Sequence, residues 1–380
     1  EFFFGAMRAG AIPLPLNTRA AAATLAHIIT EAHCALAVVD PSSHREALTI
    51  ARNPALRQRL SLGQRAEGFL SFEEEMAKPA APVDPPVIAD DAQAFQPYTS
   101  GSTGRPKGAI MTHHGMLWYV AYNQRYWPCA ESDRGLVALP LFHKNALRGT
   151  VKPMLYAGGS FVLMPAYEPR AYLDALAKYR CTYSRGVAAV FTMFLEHRDY
   201  LRTLDLSALR ELTIGSAVVT PELMEAVEHA LPHVKVSESY GLTEGGSPLR
   251  APIDGRAVPR GSPGIPAPEI ELRLVDAEGN DAEEGELWID PPMCAAAITT
   301  SRRLRVPSSP MDGCIPAIFS ARTRMDSSIS AAASTTCSVA AERTSTRKKS
   351  RTCCSAIPRW SMRWWRRCRI RSRAWCRPPW

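Results

Sequence analysis

Tyr98-Thr99-Ser100-Gly101-Ser102-Thr103-Gly104-Arg105-Pro106-Lys107-Gly108 packs four aliphatic hydroxyls, three glycines and one lysine into eleven residues. Glycines let backbone N–H groups turn toward phosphate oxygens, hydroxyls donate further hydrogen bonds, and an ammonium offsets charge, so the composition suits a polyphosphate. The G-x-x-x-x-G-K-[ST] spacing of a Walker loop is absent, because Gly108 rather than Ser or Thr follows Lys107. A Ser/Gly-rich linker is the alternative, but a linker is not normally bracketed as this stretch is, by strand-like residues 94–98 and by apolar Ala109-Ile110-Met111.

On both sides of this stretch, from Gly10 to Glu244, strand-like and helix-like segments alternate, the pattern of an α/β domain with largely parallel sheets. Strands are expected at residues 11–16, 35–40, 95–98, 136–141, 160–164, 212–216 and 234–237, and helices at 20–31, 144–156, 169–179, 188–197 and 221–231. Residues 51–90, with Pro79, Pro82, Pro85 and Pro86, read as a polar surface excursion. Residues 269–275 and 285–289, joined by an Asp-Ala-Glu-Gly-Asn turn, predict a β-hairpin in a small barrel-like subdomain.

Three further constellations carry chemistry. In Ser239-Tyr240-Gly241-Leu242-Thr243-Glu244 a ring can lie against a base, a hydroxyl can reach a phosphate and a carboxylate can hold Mg²⁺ on phosphates. Taken alone it also reads as a loop in which Thr243 caps a helix and Glu244 favours its start. Gly215-Ser216-Ala217 leads into Thr220-Pro221, a strand-to-helix turn with a hydroxyl cap and proline at the first helical position. Leu139-Pro140-Leu141-Phe142-His143 ends an apolar run on a histidine, a residue that is more often structural in that setting.

The string YTSGSTGRPKGAIMTHHGM, from Tyr98 to Met116, resembles the signature loop of the adenylate-forming (AMP-binding) superfamily, which includes acyl-CoA synthetases, coumarate-CoA ligases, firefly luciferase and peptide-synthetase adenylation domains. Ser239–Glu244 is similar to that superfamily's Y-G-x-T-E motif, Gly215–Leu223 to its G-G-A-P-L-x-x-E-L stretch, residues 140–143 to P-x-F-H, and Gly285-Glu286-Leu287-Trp288-Ile289 to its G-E-L strand. The resemblance implies an α/β fold, the large N-terminal domain built of stacked α/β subdomains and a small β-barrel-like subdomain. It implies that Thr99, Ser100, Gly101, Ser102, Thr103, Gly104 and Lys107 hold the ATP β- and γ-phosphates. Gly215, Ser216, Ala217, Tyr240 and Gly241 would form the adenine and acyl pocket, Thr243 would reach the α-phosphate, Glu244 would carry Mg²⁺, and His143 would border the acid.

The implied activity is ATP-dependent conversion of a carboxylic acid to an acyl-adenylate followed by transfer to CoA, with Lys107, Thr243 and Glu244 as the catalytic set. Peptide-synthetase domains usually place an aspartate after the aromatic residue; Lys144-Asn145-Ala146 stands here, which disfavours an amino-acid substrate. A nucleotide- or acid-binding protein without turnover is the second reading.

Residues 294–380 carry 18 Lys+Arg against 3 Asp+Glu and hold 7 of the 10 cysteines, whereas residues 1–293 carry 27 bases and 34 acids. The positive balance is therefore confined to the tail and does not point the α/β part toward nucleic acid. The superfamily's T-G-D segment, G-R-x-D-D hinge and small C-terminal domain are not recognisable after Ile289, and a codon choice for residues 334–351 gives a neighbouring frame resembling that missing hinge. The expectation is an adenylation domain at 1–293, begun inside its N-terminal part, then a frameshift near residue 291 and a disordered, non-homologous basic tail over 294–380. A nucleic-acid-binding arm is the alternative for the tail. The chain shows no membrane-span-length apolar run and no signal peptide, and only Cys34, Cys129 and Cys181 occur before residue 294, so the expected location is cytoplasmic.

Overall fold

The computed structural model describes residues 1–17, 19–42, 52–79, 84–99, 106–243, 245–250, 264–276, 278–281, 286–290 and 297–298. Ser100, Gly101, Ser102, Thr103, Gly104, Glu244 and nearly all of the basic tail lie outside them. The described residues form two compact units that divide between Thr112 and His113, with Ala297 and Ile298 in the first.

In the first unit, helices α1 (Phe2–Arg8) and α2 (Ala22–Glu31) precede the parallel strands β1 (Leu36–Val39), β2 (Gln58–Ser61) and β3 (Leu70–Ser71). Leu25 and Ile29 on one face of α2 close over Leu56, the 3.6-residue repeat that makes a helix amphipathic. Residues 51–90 thus differ from the expected excursion: they carry β2, β3 and helix α3 (Phe72–Ala77). Only Leu60 and Ser61 of β2 are buried, too short a pattern to announce a strand. Residues 11–16 form no strand, since Pro13 and Pro15 have no N–H to give a ladder; the Pro13 carbonyl accepts from Gln96 N at 3.2 Å.

Strands β4 (Gln93–Phe95) and β5 (Tyr98–Thr99) both pair antiparallel with β6 (Lys107–Thr112), and Ala297–Ile298 pairs with β6 as well. The register Tyr98↔Gly108 and Thr99↔Lys107 pairs the residues that bracket the glycine-rich stretch.

The second unit is built on five parallel strands, β7 (Arg134–Val137), β8 (Ser160–Leu163), β9 (Tyr183–Gly186), β10 (Glu211–Gly215) and β11 (Lys235–Ser239), in the order β11-β10-β9-β7-β8. Helix α4 (His113–Tyr126) precedes them. Helix α5 is composite: Lys144–Ala146 and Lys152–Ala157 are α-helical, and Leu147–Val151 between them is a π-helical turn. Helices α6 (Pro169–Lys178), α7 (Ala188–Leu195) and α8 (Pro221–Ala230) make the remaining crossovers. Thr220 accepts from Leu223 N at 3.3 Å, the cap that Thr220-Pro221 predicted.

The two faces of this sheet differ. Leu136, Leu212 and Ile214 point one way into a core with Tyr172, Leu173, Phe191 and Phe194, all essentially buried. Each such apolar side chain contributes about 2 kcal/mol of burial. Tyr183, Arg185, Glu211, Thr213 and Ser237 share the other face by strand alternation and register. Parallel strands are ordinarily apolar on both faces, so a polar second face sets this sheet apart.

The β-hairpin read at the end of the α/β region is present, Glu271–Val275 pairing antiparallel with Glu286–Asp290.

Candidate active site

Strand order reverses between β7 and β9: the chain leaves β7 toward β8 on one side and builds β9, β10 and β11 on the other. In open α/β sheets the crevice beyond the carboxyl ends of the strands at such a reversal is where ligands bind. His143 follows β7, Ser216 and Ala217 follow β10, and Tyr240 follows β11, so all three constellations of this unit lie at that edge.

Asn145 joins two of them. Its N–H donates to His143 Nδ1 at 3.2 Å, and its Nδ2 donates to Ser216 Oγ at 3.0 Å. His143 is the N-cap of α5, and with Nδ1 accepting, its donor is Nε2–H. Partial desolvation and then the Lys144 ammonium lower the His143 pKa, so the imidazole is neutral at pH 7. Ser216 is exposed and holds φ +63°, a left-handed conformation uncommon for serine and frequent at functional turns. Ala217 beside it is exposed. Gly215 admits no side chain: a Cβ there would stand 2.3 Å from Ser239 Oγ and 2.4 Å from the Ser239 carbonyl oxygen, so β10 and β11 close together only over glycine.

The third constellation is a tight loop. Leu242 N donates to Gly246 O at 2.7 Å and Gly246 N to Leu242 O at 3.1 Å, so residues 242–246 close on themselves, with Tyr240, Gly241 and Thr243 half-buried. Arg148 of α5 grips it, donating from Nη1 to Leu242 O at 3.0 Å and from Nη2 to Thr243 O at 2.7 Å. The same guanidinium lies 4.5 Å over the Tyr119 ring, whose hydroxyl is 3.1 Å from Ser247 Oγ, while Tyr122 donates to Ser247 O. Arg148 escaped the sequence reading; the available signal was a cation inside an otherwise apolar helical run, Ala146 to Val151.

In the first unit, the ends of the glycine-rich loop are fixed by the Thr99↔Lys107 pair, with Thr99 Oγ1 3.5 Å from Lys107 O. Tyr98 donates to Glu31 Oε2 at 2.9 Å, which ties the loop's first residue to α2. Lys107 and Thr99 are half-buried.

On the polar face of the sheet, toward the amino ends of its strands, lies a cavity of about 290 Å³ whose lining includes Tyr126, Asp133, Gly149, Thr182, Arg210 and Lys235. Glu211 accepts from Trp127 Nε1 at 2.9 Å and Ser237 Oγ at 2.8 Å, and Tyr183 and Thr213 hydroxyls lie 3.3 Å apart. Arg185, a second residue the sequence reading missed, is buried here within the polar-looking strand Tyr183-Ser184-Arg185-Gly186. Lys152 of α5 is also buried, and desolvation, then the Arg148 charge, bring its pKa down to about 7. Among the described residues no group of three His, Cys, Asp or Glu side chains gathers into a metal cage, and no helix is long and apolar enough to cross a membrane.

The profile described as AMP-binding enzyme matches residues 1–297. The chain is 32% identical over 289 residues to a feruloyl-CoA synthase of Amycolatopsis sp., a match covering 75% of this chain and 55% of that one. It is 31% identical over 293 residues to an indoleacetate–CoA ligase of Aromatoleum aromaticum, covering 74% and 55%. The crystal structure of the anthranilate CoA ligase AuaEII in complex with anthranoyl-AMP matches with a TM-score of 0.72 at 24% identity, covering 79% of this chain and 59% of that one, a likeness of fold. The chain spans little more than half the length of the curated relatives it matches.

Proposed function

We propose, from the premise that this chain belongs to the AMP-binding enzyme family, that it activates a carboxylic acid with ATP to an acyl-adenylate destined for CoA. The observation that carries this reading is the gathering of His143, Ser216 and the 240–243 loop at one carboxyl edge through Asn145 and Arg148. In the first step a carboxylate oxygen attacks the α-phosphorus of ATP and the bond to pyrophosphate breaks; in the second the CoA thiol displaces AMP. Positioning and charge neutralisation carry such transfers.

In this reading Thr99, Ser100, Gly101, Ser102, Thr103, Gly104 and Lys107 hold the β- and γ-phosphates through backbone N–H, hydroxyl and ammonium donors. The adenine rests between Tyr240 with Gly241 and the 215–217 wall, Thr243 donates to the α-phosphate, and neutral His143 borders the acid. Mg²⁺ fits a single carboxylate, Glu244, completed by phosphate oxygens, and when bound it neutralises phosphate charge. The adenylation domain is taken as residues 1–293 together with Ala297–Ile298, which pair with β6, and the basic tail beyond them is given no part in the reaction. Free Cys34, Cys129 and Cys181 agree with a cytoplasmic setting. The printed names of both relatives, feruloyl-CoA synthase and indoleacetate–CoA ligase, favour an aromatic acid.

Acid-dependent ATP–pyrophosphate exchange, measured beside calorimetric titration of ATP with Mg²⁺, tests the proposal. Exchange with an aromatic acid supports it. Binding without exchange selects a binding protein without turnover, and neither binding nor exchange overturns both.

A further inference from the structure

We propose that Asn145 is a positioning residue for the acyl-adenylate: through two hydrogen bonds it makes His143 and Ser216 donors to the oxygens of that intermediate. The inference rests on the reading of the carboxyl edge as the place of activation, and it names the groups that recognise the ligand there.

Asn145 is buried, 6% exposed, whereas its two partners His143 and Ser216 are exposed. Its backbone N–H donates to His143 Nδ1 at 3.2 Å, which leaves the ring proton on Nε2. Desolvation, then the Lys144 charge, lower the His143 pKa, so the ring carries that one proton at pH 7. The Asn145 side chain donates from Nδ2 to Ser216 Oγ at 3.0 Å. A serine hydroxyl has one proton, and with Oγ accepting from Asn145 that proton is left to donate outward. Among the described residues Ser216 Oγ makes no second hydrogen bond.

An amide can lie either way round, and Arg185 decides which. Its guanidinium only donates, and Nη1 lies 3.5 Å from Asn145 Oδ1. The reverse orientation would set two donors against each other and turn an acceptor toward Ser216, drawing the serine proton inward. Arg185 is itself fixed, buried and donating from Nε to the Tyr183 hydroxyl at 3.1 Å. Gly149 makes room for it, since a Cβ there would stand 2.6 Å from Arg185 Cδ and 2.8 Å from Nη1. Ser216 holds φ +63°, where glycine sits more easily than any residue with a side chain. A hydroxyl kept there against its backbone preference, with its proton directed outward, fits a donor to ligand. The mixed anhydride of an acyl-adenylate offers the acyl carbonyl oxygen and the free phosphate oxygens, all of them acceptors.

The test titrates the full chain calorimetrically with benzoyl-sulfamoyl adenosine, a stable mimic of the adenylate. Ser216→Gly suits φ +63°, so it is expected to melt no lower than the wild type yet to bind the mimic about tenfold more weakly, a loss that a merely structural serine does not predict. Asn145→Asp keeps the shape and can still face Arg185, but its carboxylate only accepts, so the Ser216 proton turns inward. It is expected to keep the melting temperature and to lose about the same affinity. In the double variant the two losses should not add, because the aspartate acts through a hydroxyl that is gone. Losses that add mean that the new charge acts by itself, and they overturn the proposal. Nuclear magnetic resonance of the ring nitrogens gives a reading without affinity: the His143 signal, identified by its loss in His143→Gln, should show the proton on Nε2. A proton on Nδ1 overturns the proposal. That spectrum and Ser216→Gly remain decisive if Asn145→Asp folds poorly. If the wild type binds the mimic and either single variant binds it as tightly, the proposal is overturned while the activation site stands. If the wild type does not bind it, the reading of the activation site falls and this inference with it.

Discussion

Arg148 donates from Nη2 to the carbonyl oxygen of Thr243 at 2.7 Å, so a residue of the composite helix α5 sets the position of a backbone loop 95 residues later in the chain. Charged donors to backbone oxygens contribute about 1.5–3 kcal/mol each, and Arg148 makes two such bonds. Arg148→Met is expected to lower ATP affinity by at least about tenfold. Arg148→Lys should recover thermal stability but not affinity, because an ammonium does not span two carbonyls as the planar fork does. Melting curves beside calorimetric titration with ATP check both; equal affinity in all three proteins removes Arg148 from any positioning role.

Gly215→Ala pushes a methyl group into the Ser239 carbonyl at the junction of β10 and β11. Neither strand end can yield alone, because Gly215 and Ser239 are in register. Overpacking of this kind costs about 1–3 kcal/mol, so the melting temperature is expected to fall by several degrees, with loss of adenylate-mimic binding. An alanine variant that melts and binds like the wild type contradicts the close approach.

Glu238 stands in register with Ile214, on the apolar face of the sheet, and its Oε2 is buried without a hydrogen-bond partner. Desolvation pushes its pKa up from 4.5 to about 7. Between those values the unfolded chain gives up this proton while the folded chain keeps it, so stability falls as pH rises from about 4.5 through 7. Glu238→Gln is expected to flatten that decline and to melt higher than the wild type at about pH 8. Parallel melting curves from pH 5 to 8 with no difference in slope would remove Glu238 as the source.

Glu244 and Lys107 are the two charged residues of the proposed phosphate site. Glu244→Ala is expected to abolish acid-dependent pyrophosphate exchange without changing the far-ultraviolet circular dichroism. Lys107→Ala is expected to weaken ATP binding by about tenfold or more, the worth of one charge-assisted hydrogen bond. Near wild-type exchange by the Glu244 variant would exclude it from the site.

The sequence showed the edge of the site better than its floor. Residues after strands, such as His143, Ser216 and Tyr240, were readable because turn chemistry and spacing are local. Helices α6 and α8 announced themselves through Pro169, Thr220 and a clean apolar stripe. Strand β9 did not, because Tyr183 and Arg185 face the polar side and Ser184 and Gly186 the other, leaving no apolar alternation to detect. Helix α4 was missed for a related reason: Trp118, Tyr119 and Tyr122 bury polar-tipped rings, so its stripe does not read as apolar. The roles of Arg148 and Arg185 depend on partners dozens of residues away, which a single sequence does not display.

The unequal faces of the five-stranded sheet separate durability from choice of substrate. Substitutions at Leu212 or Phe191 are paid in folding stability, whereas those at Tyr183 or Arg185 fall on the side that lines the cavity, and effects at sites without shared partners add. A combinatorial library confined to the polar face would therefore reshape the cavity on an unchanged chassis. Core and cavity are printed on opposite sides of the same five strands.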